Sequence, residues 1–396
     1  MASVNAKDLV KPGDAEKIIG IRREIHRHPE MKFELDNTVS IVKRELEKLD
    51  IPYTEKYGKG SVVGIINGDC KGPTFGFRAD MDALPIVEET GLPFASEIPG
   101  VMHACGHDSH TAMLIGTATL LKRAEKELKC RVLLIFQPCE EGPESGADLM
   151  IKNGILDELD YVAGLHVENG LPVGTIAAQR REAMAACHSY EIEFFGSSSH
   201  ATRPQNSCDA LAMAVKAYND IYLQAARKIG PMEQYVLSIG SLNAGSTHNI
   251  ITDYAKMMMC VRYYDVNLDK RLEDAIKLIC RNAAEELGGT AKVTDPMKGH
   301  PLINDVRLTE RLHKSAVKVV GEENFRWIEP YMSSEDFSHF SCQRPGIFFR
   351  IGTRNPEKGC VGGNHNSDVI YDEDAFITAS TVSAQFLLDF DGNFEE

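Results

Sequence analysis

The chain has 396 residues, 43% of them hydrophobic, which is enough for two domains that each bury a core. Its 58 acidic residues outnumber 43 basic ones for a net charge of -15, which argues against nucleic acid and anionic membrane as partners, since both call for basic patches. Ten cysteines lie scattered without paired spacing, and neither a leader-like segment nor an apolar run of about 18 residues is evident, so a reduced, cytoplasmic protein is expected.

From residue 14 to about residue 50, apolar positions recur at three- and four-residue spacing in IIGIRREIHRHPE and TVSIVKRELEKLD, the pattern of two helices. SVVGIING (61–68) and PTFGFRADMDALPI (73–86) read as strands, the second ending in Asp80 and Asp82. Those carboxylates would share a face only if the strand stayed regular to Asp82, because side chains alternate. The stretch MHACGHDSH (102–110) then packs three histidines, a cysteine and an aspartate together. Cys105 and His107 would bring a thiolate and an imidazole near one point, half of a metal site. The following SHTAMLIGTATLLKRAEKELK (109–129) places Ala, Leu and Met on one face and Lys, Arg and Glu on the other, which predicts an amphipathic helix. The dipole at its start would favour the Cys105 thiolate.

RVLLIFQPCEEGPESGA (131–147) is an apolar strand-like run that stops at Pro138 and presents Glu140 and Glu141 at its end. A metal site can employ two kinds of carboxylate, one holding a metal and one able to take a proton from bound water, and residue type alone does not say which is which. VAGLHVENG (162–170) is another short apolar run, with His166 near its end. From about residue 184 the character changes. SYEIEFFGSSSH (189–200) alternates like a half-exposed strand, and a helix, two or three strands and a second helix follow, an α+β insert of about 110 residues able to bury its own core. From about Thr294 the chain returns to the first domain with an amphipathic helix (VRLTERLHKSAVKVVG), a buried strand (PGIFFRIGT), the glycine-rich loop GGNHNSD carrying His365, and a closing helix.

A lone histidine is more often a core or surface residue than a ligand, and adjacent glutamates are usually solvated charge. What favours a metal site is the coincidence of thiolate, imidazoles and carboxylates at predicted strand ends, where open α/β sheets place their ligands.

FRADMDALPI, MHACGHDSHTAMLIGTA, FQPCEEGPESGA, GLHV, SSSHATRP, SSEDF and GNHNSD, in this order, resemble the motifs of zinc-dependent N-acyl amino acid amidohydrolases, the aminoacylase, hippurate hydrolase and auxin-conjugate hydrolase branch of the co-catalytic metallopeptidase family. The resemblance implies a mixed-sheet α/β/α catalytic domain of zinc-exopeptidase type (1–183 and 294–396) interrupted by a ferredoxin-like α+β dimerisation or lid domain (184–293). It implies two divalent metal ions per subunit, with Zn or Mn foremost and Co or Ni tolerated by the same donors. Cys105, His107, Glu141, His166 and His365 would be the ligands and Glu140 the general base. Asp80 stands where other branches carry a metal-binding histidine, so Asp82 would orient its neighbours and His107 would supply the imidazole. In the insert, His200 and Asn249 would complete the site, and a donor aimed at the oxyanion is worth about 2–4 kcal/mol. His26 and His28 would be a helix end and turn, and Glu335 and Asp336 would support the pocket wall.

The implied reaction is hydrolysis of an N-acyl amino acid to a carboxylic acid and an amino acid by a metal-bound water. A homodimer through the insert and a small-molecule partner are also implied. A dipeptidase or aminopeptidase would use the same chemistry on dipeptides. The residues by themselves also admit a cysteine-nucleophile enzyme built on Cys105, or a binding protein with a structural metal. The chain departs from the family pattern at Asn243-Ala244-Gly245 and Thr252 around Asn249, at Ser333, at Asn366-Ser367 and at Cys139, and all but the last bear on the substrate pocket.

Overall fold

A computed structural model describes residues 4–142 and 144–392. The chain divides into two compact units: one of residues up to Ala183, Ile303–Glu329 and Asp336 onward, the other of Met184–Leu302 and Pro330–Glu335.

Among the described residues of the first unit, eight strands form one sheet. In chain order the first six are Tyr53–Thr54 (β1), Val62–Ile66 (β2), Thr74–Asp80 (β3), Arg131–Gln137 (β4), Tyr161–Pro172 (β5) and Ile176–Ala178 (β6), joined by Phe325–Trp327 and Gly346–Arg354. The spatial order is β1, β2, β4, β3, β5, Gly346–Arg354, β6, Phe325–Trp327. The four central neighbours, β4, β3, β5 and Gly346–Arg354, run parallel, while β2 and β6 flank them antiparallel. This is a mixed α/β sheet, and the carboxyl ends of its parallel strands lie side by side, so the loops leaving them are neighbours.

Alternation along the strands separates two faces. Phe75, Phe77 and Ala79 of β3 and Val132, Leu134 and Phe136 of β4 pack in one core with the helices Asp14–Arg27 (α1), Asp36–Lys48 (α2) and His107–Arg123 (α3) and with Val306–Val320 and Asp374–Asp389. The opposite face is covered by the short helices Gly146–Lys152 and Ser338–Ser341.

The amphipathic reading of α3 does not hold. Every residue from His107 to Leu121 is buried, because α1, Asp374–Asp389 and the sheet surround the helix and leave it no solvent face. Thr117 and Thr119 bond back to the Met113 and Ile115 carbonyls, Thr111 bonds the Asp80 carbonyl, and buried Asp108 in the first turn is paired with Arg22 and His26, while Lys122 and Arg123 stand in the last turn.

The second unit is a four-stranded antiparallel sheet in the order Tyr235–Ala244, Tyr254–Tyr263, Ala186–Phe195, Thr290–Lys298, with the helices Ala210–Lys228 and Val266–Glu286 packed through one core. Asp209 and Asp265 cap the two helices by accepting the backbone N–H of Ala212 and Asn267. The βαββαβ order is ferredoxin-like. The unit runs past the expected boundary at Val293, because Thr290–Lys298 pairs along Ala186–Phe195 as an edge strand, and it also takes in Pro330–Glu335. Among the described residues no helix is long and apolar enough to cross a membrane.

Candidate metal centre

The turn before α3 is built on glycine. Gly106 has φ +88°, and a Cβ on it would lie 2.5 Å from Cγ2 of Val167 and 3.1 Å from the Tyr371 ring, so neither the conformation nor the space admits a side chain. This turn sets Cys105 just before the helix and His107 at its first position, both beside β5. Cys105 Sγ stands 3.3 Å from His166 Nε2 and 3.2 Å from His365 Nε2. The His365 loop is held by a bond from its own N–H to the Ala104 carbonyl, 2.9 Å. Glu141 Oε1 lies 3.1 Å from His365 Nε2 and 3.9 Å from His107 Nε2. The donors form overlapping groups, Cys105 with His107 and His166, Cys105 with Glu141 and His365, and His107 with Glu140 and Glu141. Two donors on one cation at about 2.0–2.3 Å each leave their atoms about 3–4 Å apart, which is the spacing found.

A surrounding set of bonds fixes these donors. The Asp82 carboxylate accepts the backbone N–H of Glu140 (2.9 Å) and of Glu141 (3.1 Å), and its Oδ1 lies 3.4 Å from His107 Nδ1. His166 Nδ1–H donates to the Val167 carbonyl at 2.7 Å, leaving Nε2 with its lone pair toward Cys105. Asp80 turns elsewhere, to Arg78 and to His110 Nδ1, both at 2.6 Å. Because β3 ends at Asp80, the two aspartates do not share a strand face. His110 Nε2 accepts the Val167 N–H at 3.0 Å, so both its nitrogens are occupied in a neutral ring, and the nearby trio Asp80, His107 and His110 lacks a free lone pair on His110.

The guanidinium of buried Arg78 also meets Gln137 Oε1 at 2.9 Å and Asp336 Oδ1 at 2.8 Å. Asp336 accepts further bonds from Gln137, Ser145 and the Ala147 N–H, and its own N–H reaches Glu140 Oε1 at 3.4 Å. One carboxylate thus ties the ends of β3 and β4 to Glu140. Gly146 lets this loop close, since a Cβ there would sit 1.7 Å from the Pro138 carbonyl oxygen.

The electrostatics call for a cation. Burial opposes a charge on His107, yet the carboxylates of Asp80, Asp82 and Glu141 outweigh it and hold the ring's pKa up at about 10. Burial, and then Glu141 and Glu140, push the Cys105 thiol far above its usual range. Burial, with His110 and Arg350 adding to it, keeps His166 neutral. Both His107 nitrogens are buried without a hydrogen bond among the described residues, and Glu141 Oε1 meets the His365 ring at 3.1 Å. Buried polar atoms left unpaired in a negative pocket are costly unless a cation satisfies them, and thiolate, imidazole and carboxylate together suit a borderline divalent ion. The residues therefore fit the metal pair that the sequence implies. His365 is exposed and opens the cluster to solvent.

In the second unit, His200 lies opposite Ile250 in a two-residue strand pair, and the Ala201 N–H bonds to the Asn249 carbonyl at 3.0 Å, so the two residues expected from the insert are neighbours. His200 Nδ1 is held by Thr202, whose hydroxyl lies at 2.8 Å and whose N–H lies at 3.2 Å.

His166 does not end its strand, since β5 continues to Pro172, but pairing with β3 stops at Gly164 and frees the next residues toward the site. Cys139 is a buried thiol pushed up to about 12, by burial first and then by Asp82, and its Sγ–H donates to the Glu144 carbonyl, so it is chemically quiet. Arg78 was passed over, although a charged residue inside the apolar run TFGFRAD was the available signal. His26, beside the site loop, bonds Asp108 at 2.7 Å and Glu88 at 3.3 Å.

A mixed α/β sheet whose strand ends gather such donors beside a second glutamate is the architecture of a metal-dependent hydrolase. The chain belongs to peptidase family M20/M25/M40, whose family model matches residues 76–389. It is 36% identical over 378 residues to thermostable carboxypeptidase 1 of Saccharolobus solfataricus (94% of this chain, 95% of the relative). It is 34% identical over 381 residues to N-acetyl-L-cysteine deacetylase of Bacillus subtilis (94% and 89%). The crystal structure of the Bacillus subtilis YXEP protein, a dinuclear metal-binding peptidase of the M20 family, superposes with a TM-score of 0.81 at 30% identity, covering 96% of this chain and 98% of that one.

Removing the Asp82 carboxylate frees the Glu140 and Glu141 amides and the His107 ring. Asp82→Ala is expected to weaken metal binding about 10–100-fold, read by chelator competition, with far-UV circular dichroism unchanged.

Proposed function

We propose that this metallohydrolase cleaves the amide bond of N-acyl amino acids, releasing a carboxylic acid and a free amino acid. The observation that carries the reading is Glu140, a carboxylate beside the donor cluster whose backbone is pinned by Asp82 and whose Oε1 meets the Asp336 N–H. Two divalent cations held by Cys105, His107, Glu141, His166 and His365, with Zn or Mn foremost, would polarise the scissile carbonyl and acidify water. Glu140 takes the proton of the attacking water and passes it to the leaving nitrogen. Asp82 keeps Glu140 and Glu141 in their separate roles by fixing both amides. As the family resemblance implies, His200 would donate to the oxygen on which charge develops, and Asn249 would contribute to substrate binding. The deacetylase among the relatives supports an acyl cap as the substrate's mark.

A cysteine-nucleophile reaction is disfavoured, because the Cys105 thiol is held protonated in the absence of a cation. A dipeptidase or carboxypeptidase reading draws support from the carboxypeptidase relative and uses the same groups. N-acetyl amino acids assayed against the matching dipeptides decide between the two. Faster cleavage of the acyl compounds is expected, and cleavage of dipeptides alone would replace the reading.

Glu140→Gln is expected to lower kcat by about 10²–10⁴-fold while metal content by mass spectrometry stays at the wild-type level. Retained turnover would remove Glu140 from its role.

A homodimer through the inserted unit is part of the same proposal. Leu211, Val215, Tyr218 and Tyr222 form an exposed stripe on the helix Ala210–Lys228, and Tyr235–Ala244 is an edge strand. Val215→Glu with Tyr222→Glu is expected to yield monomers in sedimentation velocity.

A further inference from the structure

We propose that Cys187 and Cys260 form a peroxide-responsive dithiol in the inserted unit, a pair that closes reversibly into an intramolecular disulfide. This goes beyond amide hydrolysis and does not rest on the metal centre.

The two residues sit on adjacent antiparallel strands, Ala186–Phe195 and Tyr254–Tyr263. The register sets Cys187 opposite Arg262 and Cys260 opposite Ser189, so the cysteines are diagonal neighbours, a relation from which side chains reach one another. Alternation turns both away from the helices, since the adjacent Ala186 and Val261 lie in the helix-covered core. Their sulfurs stand 3.3 Å apart as a hydrogen-bonded thiol pair, against about 2.0 Å in a disulfide. A modest side-chain rotation closes that gap.

The pair divides its labour. The hydrogen bond from Cys260 pulls the Cys187 thiol down to about 6 against the effect of burial, with the charge of Arg262 assisting, while the Cys260 thiol is pushed up by the same bond and by burial. Elsewhere burial pushes the Cys130 and Cys280 thiols up to about 12. A thiolate beside a resolving thiol is the arrangement that favours stepwise oxidation. Cys187 is buried, but Cys260 beside it is partly exposed and gives a small oxidant access.

The chemistry balances with hydrogen peroxide as the oxidant. The Cys187 sulfur attacks one peroxide oxygen, the O–O bond breaks, and hydroxide leaves and takes up a proton as water, giving a sulfenic acid. The Cys260 sulfur then attacks the Cys187 sulfur, the S–O bond breaks and a second water leaves with the Cys260 proton. Two thiols and one peroxide become one disulfide and two waters.

The position gives the bond a consequence. Cys187 lies just inside the start of the unit at Met184, and its carbonyl accepts the Gly299 N–H. Arg262 Nη1 bonds the Met332 carbonyl, and the Ala185 N–H meets the carbonyls of Tyr331 and Ser333. A disulfide here would staple the two central strands at the end of the sheet where the chain enters the unit and where Pro330–Glu335 rejoins it.

The test treats reduced, metal-loaded protein with hydrogen peroxide in small molar excess, alkylates the remaining thiols, and maps peptides by mass spectrometry. A linked Cys187–Cys260 peptide is expected to appear before any other disulfide and to disappear on addition of dithiothreitol. In Cys260→Ser, dimedone is expected to trap a sulfenic acid on Cys187, and Cys187→Ser should form neither product. The proposal is overturned if both cysteines stay alkylatable while other thiols oxidise, or if wild-type Cys187 proceeds to sulfinic acid without the linked peptide. Because the wild-type map reads the linkage directly, misfolding of either variant would not obscure the result.

Discussion

Charge balance in a negative, largely buried cluster governs the head of the parallel sheet. His107, His166 and Cys105 are buried beside Glu141, and carboxylates hold the His107 ring up at about 10 while burial keeps the thiol protonated. Such a set is unfavourable as it stands, with both buried His107 nitrogens left without hydrogen bonds. A divalent cation resolves both problems at once, since it displaces protons from thiol and imidazole and gives the carboxylates their counter-charge. The fold's contribution is to make the unfavourable arrangement unavoidable.

It does so with bonds that act mostly on the backbone and on side chains behind the donors. Arg78 sits in the sheet between Asp80 and Asp336, and Asp336 reaches Gln137, Ser145 and Ala147 as well as Glu140. A buried guanidinium with two carboxylates contributes little net stability, but loss of one partner leaves an uncompensated charge costing about 3–5 kcal/mol. That asymmetry makes the network a device for geometry, holding the strand ends that lead to Glu140 and Glu141 in a fixed relation.

The site was largely legible because ligand chemistry is written in residue type. Few chains place Cys105, His107 and Asp108 within a few positions by chance, and Glu140-Glu141 follows an unmistakable strand. What stayed hidden depends on distant segments meeting. The polar residues of α3 suggested a wet face, yet the helix is enclosed by elements distant in the chain, Asp14–Arg27 and Asp374–Asp389. The separate fates of Asp80 and Asp82 followed from where β3 ends, and nothing local marks that point. The insert's last strand, TAKVTDPMK, is largely exposed and carries little hydrophobic signal, because an edge strand buries only one side, so the domain boundary was placed too early. Arg78 and Asp336 stand 258 positions apart, a pairing beyond the reach of any local pattern.

Anomalous diffraction from crystals grown with Zn or Mn tests the central claim most directly. The account predicts two peaks about 3.5–4 Å apart, enclosed by Cys105, His107, Glu141, His166 and His365, with Glu140 bound to neither. A single peak away from the Cys105 sulfur, or Glu140 found as a ligand in place of Glu141, would contradict it.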